Sequence, residues 1–196
     1  KARTLRHLWQ APFTLHSSIV AAIRAEADAA RAGQKGRIVA KMNSLLESEV
    51  IDALYEASKA GVEIDLIIRG VCALRPGVPG LSENIRVRSI IGRFLEHHRI
   101  FYFLAGGKET VYLSSADWME RNFFKSIELA FPILDPKLKK RVITEGLKFY
   151  LADNQQGWEM NSQGAYQRRR SSRSKPHNAQ GELMVRSEER RVGKEC

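Results

Sequence analysis

The sequence is poor in cysteine, with only Cys72 and Cys196. That excludes a disulfide framework and a Cys-x-x-Cys metal site, and it fits a reducing cytoplasm. No apolar run approaches the roughly 20 residues that cross a bilayer. The N-terminal Lys-Ala-Arg-Thr-Leu-Arg-His has no apolar stretch behind it of the signal-peptide kind. A membrane span and secretion are therefore not expected. Also missing are a G-x-x-x-x-G-K-[ST] loop, a G-x-G-x-x-G turn after a strand, H-E-x-x-H and any carboxylate set with metal-ligand spacing. If nucleotide phosphate is handled, it is handled without a Walker-type cradle. Acidic residues are the minority: 22 Asp and Glu against 32 Lys and Arg leave a net charge of +10. A phosphate-rich anion suits that balance better than an acidic protein or a cation. The excess is not a tail effect, since 23 basic residues face 16 acidic ones through Ala152 and nine face six beyond it.

What is present reads as an α/β domain, with strand and helix periodicities alternating up to about Leu151. A first helix is expected over Ser17 to Ala32, where Ile19, Val20 and Ile23 recur at helical spacing and Gly33 follows. A strand from Arg37 to Met42, a helix from Glu47 to Ala60 and a nearly continuous apolar strand from Val62 to Ile68 make a β-α-β unit. Pro76, Gly77, Pro79 and Gly80 make Val71 to Ser82 a loop. It leaves the carboxyl end of a buried strand, where open α/β sheets place ligands. Further strands are expected at Ile85 to Ile91, Arg99 to Leu104, Thr110 to Leu113 and Ser126 to Pro132, with a hairpin at Gly106-Gly107. A helix capped by Asp135 should run from Pro136 to Tyr150. Beyond Ala152 the composition turns to Gln, Asn, Ser, Gly and Arg, including Arg168-Arg169-Arg170, and reads as a flexible appendage. The last stretch, Arg186 to Cys196, has neither apolar periodicity nor turn residues and is set apart as a candidate non-native tail. The first residue is Lys, not Met, which fits a chain beginning inside a longer protein.

Four clusters could carry chemistry. In Leu95-Glu96-His97-His98-Arg99, strand alternation would put His97 and Arg99 on one face and turn His98 away. An imidazole beside a guanidinium suits phosphoryl transfer, because the one exchanges a proton or phosphoryl group near neutral pH and the other grips oxygens bidentately. Taken alone, the pair reads more readily as a strand edge that simply meets solvent. Ser114, Ser115 and Asp117 follow a strand and could orient a catalytic His, or Asp117 could simply cap a short helix. Arg69 closes a wholly apolar strand, where a charge is costly unless it is paired or faces a site. Anion binding and a structural ion pair both satisfy that condition. Lys41 and Asn43 share a face at the end of the first strand, toward phosphate or toward the preceding loop.

Taken in order and spacing, Ile68-Arg69-Gly70-Val71-Cys72-Ala73-Leu74-Arg75-Pro76-Gly77, Leu95-Glu96-His97-His98-Arg99-Ile100 and Tyr112-Leu113-Ser114-Ser115-Ala116-Asp117-Trp118-Met119-Glu120-Arg121-Asn122 resemble the last domain of the large bacterial polyphosphate kinase family. The Trp158 region and Ala179-Gln180 extend the resemblance to about Leu183. It implies a phospholipase D-like half with a mixed β-sheet flanked by helices: residues 1–151 form the domain, 152–184 its C-terminal extension, and 185–196 the separate tail. It implies an enzyme that reversibly moves the terminal phosphate of ATP to inorganic polyphosphate through a phosphohistidine, with Mg2+ assisting. His97 would face that phosphohistidine, and Arg69 would contact nucleotide phosphate. The nucleophilic His and the magnesium-associated arginines belong to the preceding domain, so no metal site is carried over; His7 and His16 lie in the wrong context for the nucleophile. Lys41 and Arg99 are expected as polyphosphate contacts, with Ser114, Ser115 and Asp117 in support. The resemblance further implies ATP, ADP and polyphosphate as partners, the preceding domains of a full-length enzyme, a homo-oligomer, and a cytoplasmic protein whose full-length form could associate with a membrane. The isolated chain should be inactive.

Two rival readings are a phospholipase D-type phosphodiesterase or nuclease half-domain and a basic nucleic-acid-binding module. The phosphodiesterase signature is His-x-Lys-x-x-x-x-Asp, whereas His97-His98-Arg99 is followed by Ile100-Phe101-Tyr102-Phe103-Leu104. A binding module would show a strong salt dependence and no response to ATP.

Overall fold

The computed structural model describes residues 7–169 and 175–192. Lys1 to Arg6, Arg170 and the end of the tail with Cys196 lie outside the described residues. Leu15, Ile19, Val20, Ile23 and Ala27 form one buried stripe, and that spacing sets α1 (Leu15–Arg31). In α2 (Ser48–Lys59) the buried stripe is Val50, Ile51, Ala53, Leu54 and Ala57, and the Glu47 carboxylate accepts from the Val50 N–H at 2.8 Å as the N-cap. Both helices begin and end within two residues of the expected bounds.

The strands are β1 (Trp9–Gln10), β2 (Arg37–Met42), β3 (Glu63–Ile68), β4 (Ile85–Ile90), β5 (Arg99–Ala105), β6 (Lys108–Ser114), β7 (Leu129–Pro132), β8 (Gly157–Met160) and β9 (Tyr166–Arg168). They form one sheet in the order β1-β7-β6-β5-β2-β3-β4-β8-β9. Strands β2, β3 and β4 run parallel, and β5 lies antiparallel to β2 with Lys41 opposite Ile100. The amino end of β5 therefore meets the carboxyl ends of the parallel strands. Between β6 and β7 lies a short helix, α3 (Glu120–Phe124).

Each face of the sheet has its own core. One packs Ile38, Ala40, Ile64, Leu66, Ile68, Phe101 and Phe103 against α1 and α2. The other packs Val39, Ile67, Ile90, Ile100, Tyr102 and Val111 against Leu147, Tyr150 and Ala179. Each aliphatic side chain fully buried in this way stabilises the fold by about 1.5–3 kcal/mol. The second cover is one helical run: α4 (Pro136–Arg141), a π-helix (Val142–Lys148) and α5 (Phe149–Ala152). Asp135 caps it as expected, its carboxylate accepting from Leu138 N at 2.7 Å.

Beyond Ala152 the structure corrects the sequence reading. The segment is not a flexible appendage: β8 pairs with β4, β9 pairs with β8, and α6 (Ala179–Val192) packs Ala179 into the second core. Asp153 anchors the turn, its carboxylate accepting from the backbone of Gln155, Gln156 and Ala179 at 2.7–2.9 Å. The helix also runs through Arg186 to Val192, where no regular structure was expected. Among the described residues no helix is long and apolar enough to cross a membrane.

Candidate functional site

The carboxyl edge of β2 and β3 and the amino end of β5 bring together Lys41, Asn43, Arg69, Glu96, His98, Arg99 and Asp117. Two buried ionic groups organise this edge. In the first, the Lys41 ammonium donates to Glu96 Oε2 at 2.7 Å and to His98 Nε2 at 2.9 Å, and it lies 3.7 Å from the centre of the Tyr150 ring. The Tyr150 hydroxyl and the Gln180 amide also donate to Glu96, at 3.0 and 2.7 Å. Because an ammonium can only donate, His98 Nε2 must be the acceptor, so the ring is neutral and carries its proton on Nδ1, 3.4 Å from Glu96 Oε2. Burial and then the Lys41 charge push the His98 imidazole down to about 4. Burial lowers the Lys41 ammonium to about 8, with Glu96 opposing the fall and Arg69 adding to it. Burial works to raise the Glu96 carboxyl, but the Lys41 ammonium and the Gln180 amide outweigh it and hold it below the usual range.

In the second group, Asp117 accepts from Arg99 Nε at 3.2 Å and Arg99 Nη2 at 3.0 Å, and from the Asn43 backbone N–H at 2.7 Å. Asp117 is therefore not a helix cap, as one reading of the sequence allowed; Met119 precedes α3. Instead Asp117 ties the end of β2 to the start of β5. The remaining Arg99 nitrogen donates to the His97 carbonyl at 3.1 Å, so every edge of that guanidinium is engaged.

Asn43 passes this order on to Arg69, whose Nε donates to Asn43 Oδ1 at 3.1 Å. The two Nη atoms of Arg69 have no partner among the described residues, and the side chain is half-buried. Arg69, Lys41, Glu96 and His98 line a small cavity of about 10 Å³ at this edge.

The expectation that His97 and Arg99 share a strand face with His98 turned away is corrected. Strand β5 begins at Arg99, so alternation does not govern the two histidines. The His98 ring touches the Lys41–Glu96 group with its side chain still 40% exposed, and His97 is exposed as well. Lys41, placed by sequence among the polyphosphate contacts, is 3% exposed and enclosed by Glu96, His98 and Tyr150. Ser114 and Ser115 face β7: Ser114 Oγ donates to the Leu129 carbonyl at 2.9 Å, and Ser115 Oγ pairs with Glu128. The Cys72 thiol is pushed up to about 11 by burial, so this thiol stays protonated near neutral pH.

Sequence reasoning did not single out Glu96, His98, Tyr150 or Gln180 as site residues. Their signal is weak, because their partners come from β2, α5 and α6, far apart along the chain. Magnesium, which the resemblance implies, does not fit the donors at this edge. Both carboxylates are committed, Glu96 to Lys41, Tyr150 and Gln180, and Asp117 to Arg99 and Asn43.

Comparison with known proteins extends this geometry. Over 183 residues, 93% of this chain, the sequence is 66% identical to polyphosphate kinase from Burkholderia cenocepacia (strain HI2424). Over 180 residues it is 67% identical to polyphosphate kinase from Paraburkholderia phytofirmans (strain PsJN). The chain spans 26% of the length of each. The crystal structure of polyphosphate kinase from Porphyromonas gingivalis superposes with a TM-score of 0.91 at 39% identity, covering 97% of this chain and 29% of that one. Nuc, a phospholipase D family member from Salmonella typhimurium, shares the fold at a TM-score of 0.56 and 18% identity, covering 79% of this chain and 97% of that one. The pattern of the polyphosphate kinase C-terminal domain 2 matches residues 8–180. The chain therefore belongs to the polyphosphate kinase C-terminal domain family.

Proposed function

We propose that this domain forms half of the active site of a polyphosphate kinase, in which the γ-phosphoryl of ATP passes to a histidine nitrogen with release of ADP, and then to the terminal oxygen of a polyphosphate chain. The histidine that carries the phosphoryl group belongs to a preceding domain. Magnesium, when bound there, neutralises phosphate charge. The observation that carries the reading is Arg69: its Nε is fixed by Asn43 at 3.1 Å while its terminal nitrogens stay open on a half-buried edge. A planar guanidinium held in that way is shaped to grip two phosphate oxygens of a nucleotide.

His97, exposed beside this edge, is the acid-base or electrostatic partner of the phosphohistidine. Arg99 supports it from beneath by holding its carbonyl at 3.1 Å, and Asp117 fixes Arg99. Lys41 and Arg99, each paired with a carboxylate, thus serve phosphate binding by fixing the shape of the edge, while Arg69 supplies its open positive charge. Phosphoryl transfer rests mainly on positioning and charge neutralisation, which a preorganised cationic edge supplies.

The test is a calorimetric titration of ATP with magnesium into the longer polypeptide that carries this domain, as wild type and as Arg69→Lys. An ammonium cannot reproduce the fork, so affinity should fall about tenfold. Equal affinities would overturn the assignment of Arg69.

A further inference from the structure

The loop between β4 and β5, residues 91–98, carries the exposed His97 and has no regular structure of its own. It leaves the sheet on one backbone bond, from Ile91 N to the Gln156 carbonyl at 3.3 Å. Its next fixed point is a side chain 86 residues away, where the Phe94 N–H donates to Gln180 Oε1 at 3.0 Å. The Phe94 carbonyl in turn accepts from Gln180 Nε2 at 2.9 Å. The Gln180 amide therefore does what the backbone of a neighbouring strand would do. The same Nε2 donates to Glu96 Oε1 at 2.7 Å.

Gln180 is buried in the first turn of α6, and the loop closes tightly upon it. A Cβ at Gly92 would lie 2.5 Å from Gln180 Oε1. Glu96 is drawn inward between two exposed neighbours, Leu95 and His97. The backbone of His97 is thus constrained from both sides, by the anchoring of Glu96 before it and by the Arg99 bond to its own carbonyl at 3.1 Å.

We infer that Gln180 is a positioning residue for phosphoryl transfer: from α6 it clamps Phe94 and Glu96 and so aims His97 at the reacting group. This rests on the polyphosphate kinase reading of the site. Glutamine suits the task because one planar group offers both an acceptor and a donor. Glutamate would lose the donors and set a second carboxylate against Glu96, while asparagine keeps both ends but is one methylene short. Arg69 is anchored through Asn43, not through Gln180. Loss of the clamp should therefore act on the transfer step and spare nucleotide binding.

The experiment places Gln180→Glu and Gln180→Asn in the full-length enzyme and measures kcat and the KM for ATP in polyphosphate synthesis. Hydrogen exchange of peptides covering residues 91–98 is followed in the same proteins. For Gln180→Glu, kcat should fall about ten- to a hundredfold with KM held within about threefold, because small misplacements of reacting groups carry costs of that size. Exchange in 91–98 should accelerate. Gln180→Asn should show the same split to a smaller degree, and it supplies the answer if the glutamate variant does not fold. Faster exchange with unchanged kcat overturns the inference and leaves the site reading intact, as does a rise in KM with kcat preserved. A wild-type enzyme that makes no polyphosphate while the loop is protected defeats the site reading itself.

Discussion

The Lys41 ammonium and the Glu96 carboxylate, 55 residues apart in sequence, meet at 2.7 Å beneath the candidate site. Both are buried, so each depends on the other to offset the cost of leaving water. Lys41→Met should destabilise the domain by about 3–5 kcal/mol, because it strands a buried carboxylate. Adding Glu96→Gln should recover part of that loss, since the amide oxygen can still accept from the remaining Tyr150 and Gln180 donors. Urea denaturation of the two variants and wild type reads the difference; a Lys41→Met protein as stable as wild type would contradict the pairing.

The acid limb of stability should carry the signature of His98. Burial and the Lys41 charge hold its imidazole at about 4, below the ordinary value of 6.5. A group depressed in the folded state contributes stability that is present above its unfolded value and lost as pH falls through its folded value. The domain should therefore lose stability between about pH 6.5 and 4, and His98→Gln should flatten that limb. Proton NMR titration of the His98 ring checks the cause directly: a midpoint near 6.5 would remove it.

Gly146 lies in the π-helix where a Cβ would collide with Ile100 Cδ1. Gly146→Ala should cost about 1–3 kcal/mol, as overpacking of a filled core does. Ile100→Val removes the colliding atom, so the double variant should be more stable than the sum of the two single changes allows. Additive losses in thermal unfolding would show that the contact does not limit this packing.

The parts of the fold legible in sequence were those with local causes. Glu47 to Ala60 showed a helical stripe, Val62 to Ile68 a continuous apolar run, and Gly106-Gly107 a hairpin signal; the structure has α2, β3 and the β5–β6 hairpin there. Strands β8 and β9 were missed because Gly157 to Met160 and Tyr166 to Arg168 carry little β-branched or alternating pattern. They are strands because β4 offers an edge and Arg88 pairs opposite Glu159. Arg69 stood out through a local contrast, one charge after an apolar strand. Glu96, His98 and Gln180 did not, since only tertiary contacts with Lys41 and Phe94 give them a role. The facing of His97 and Arg99 failed for a single physical reason: the strand begins at Arg99, and Glu96 is pulled inward one residue before His97.

In the proposed function, His97 meets a phosphohistidine from outside this domain. The most direct measurement is polyphosphate formation from ATP and magnesium by the full-length enzyme carrying His97→Ala, compared with wild type at equal nucleotide occupancy. A positioned acid-base group contributes about a hundredfold or more to rate, so synthesis should fall by at least that factor while Arg69 still holds the nucleotide. An unchanged rate of synthesis would contradict that role for His97.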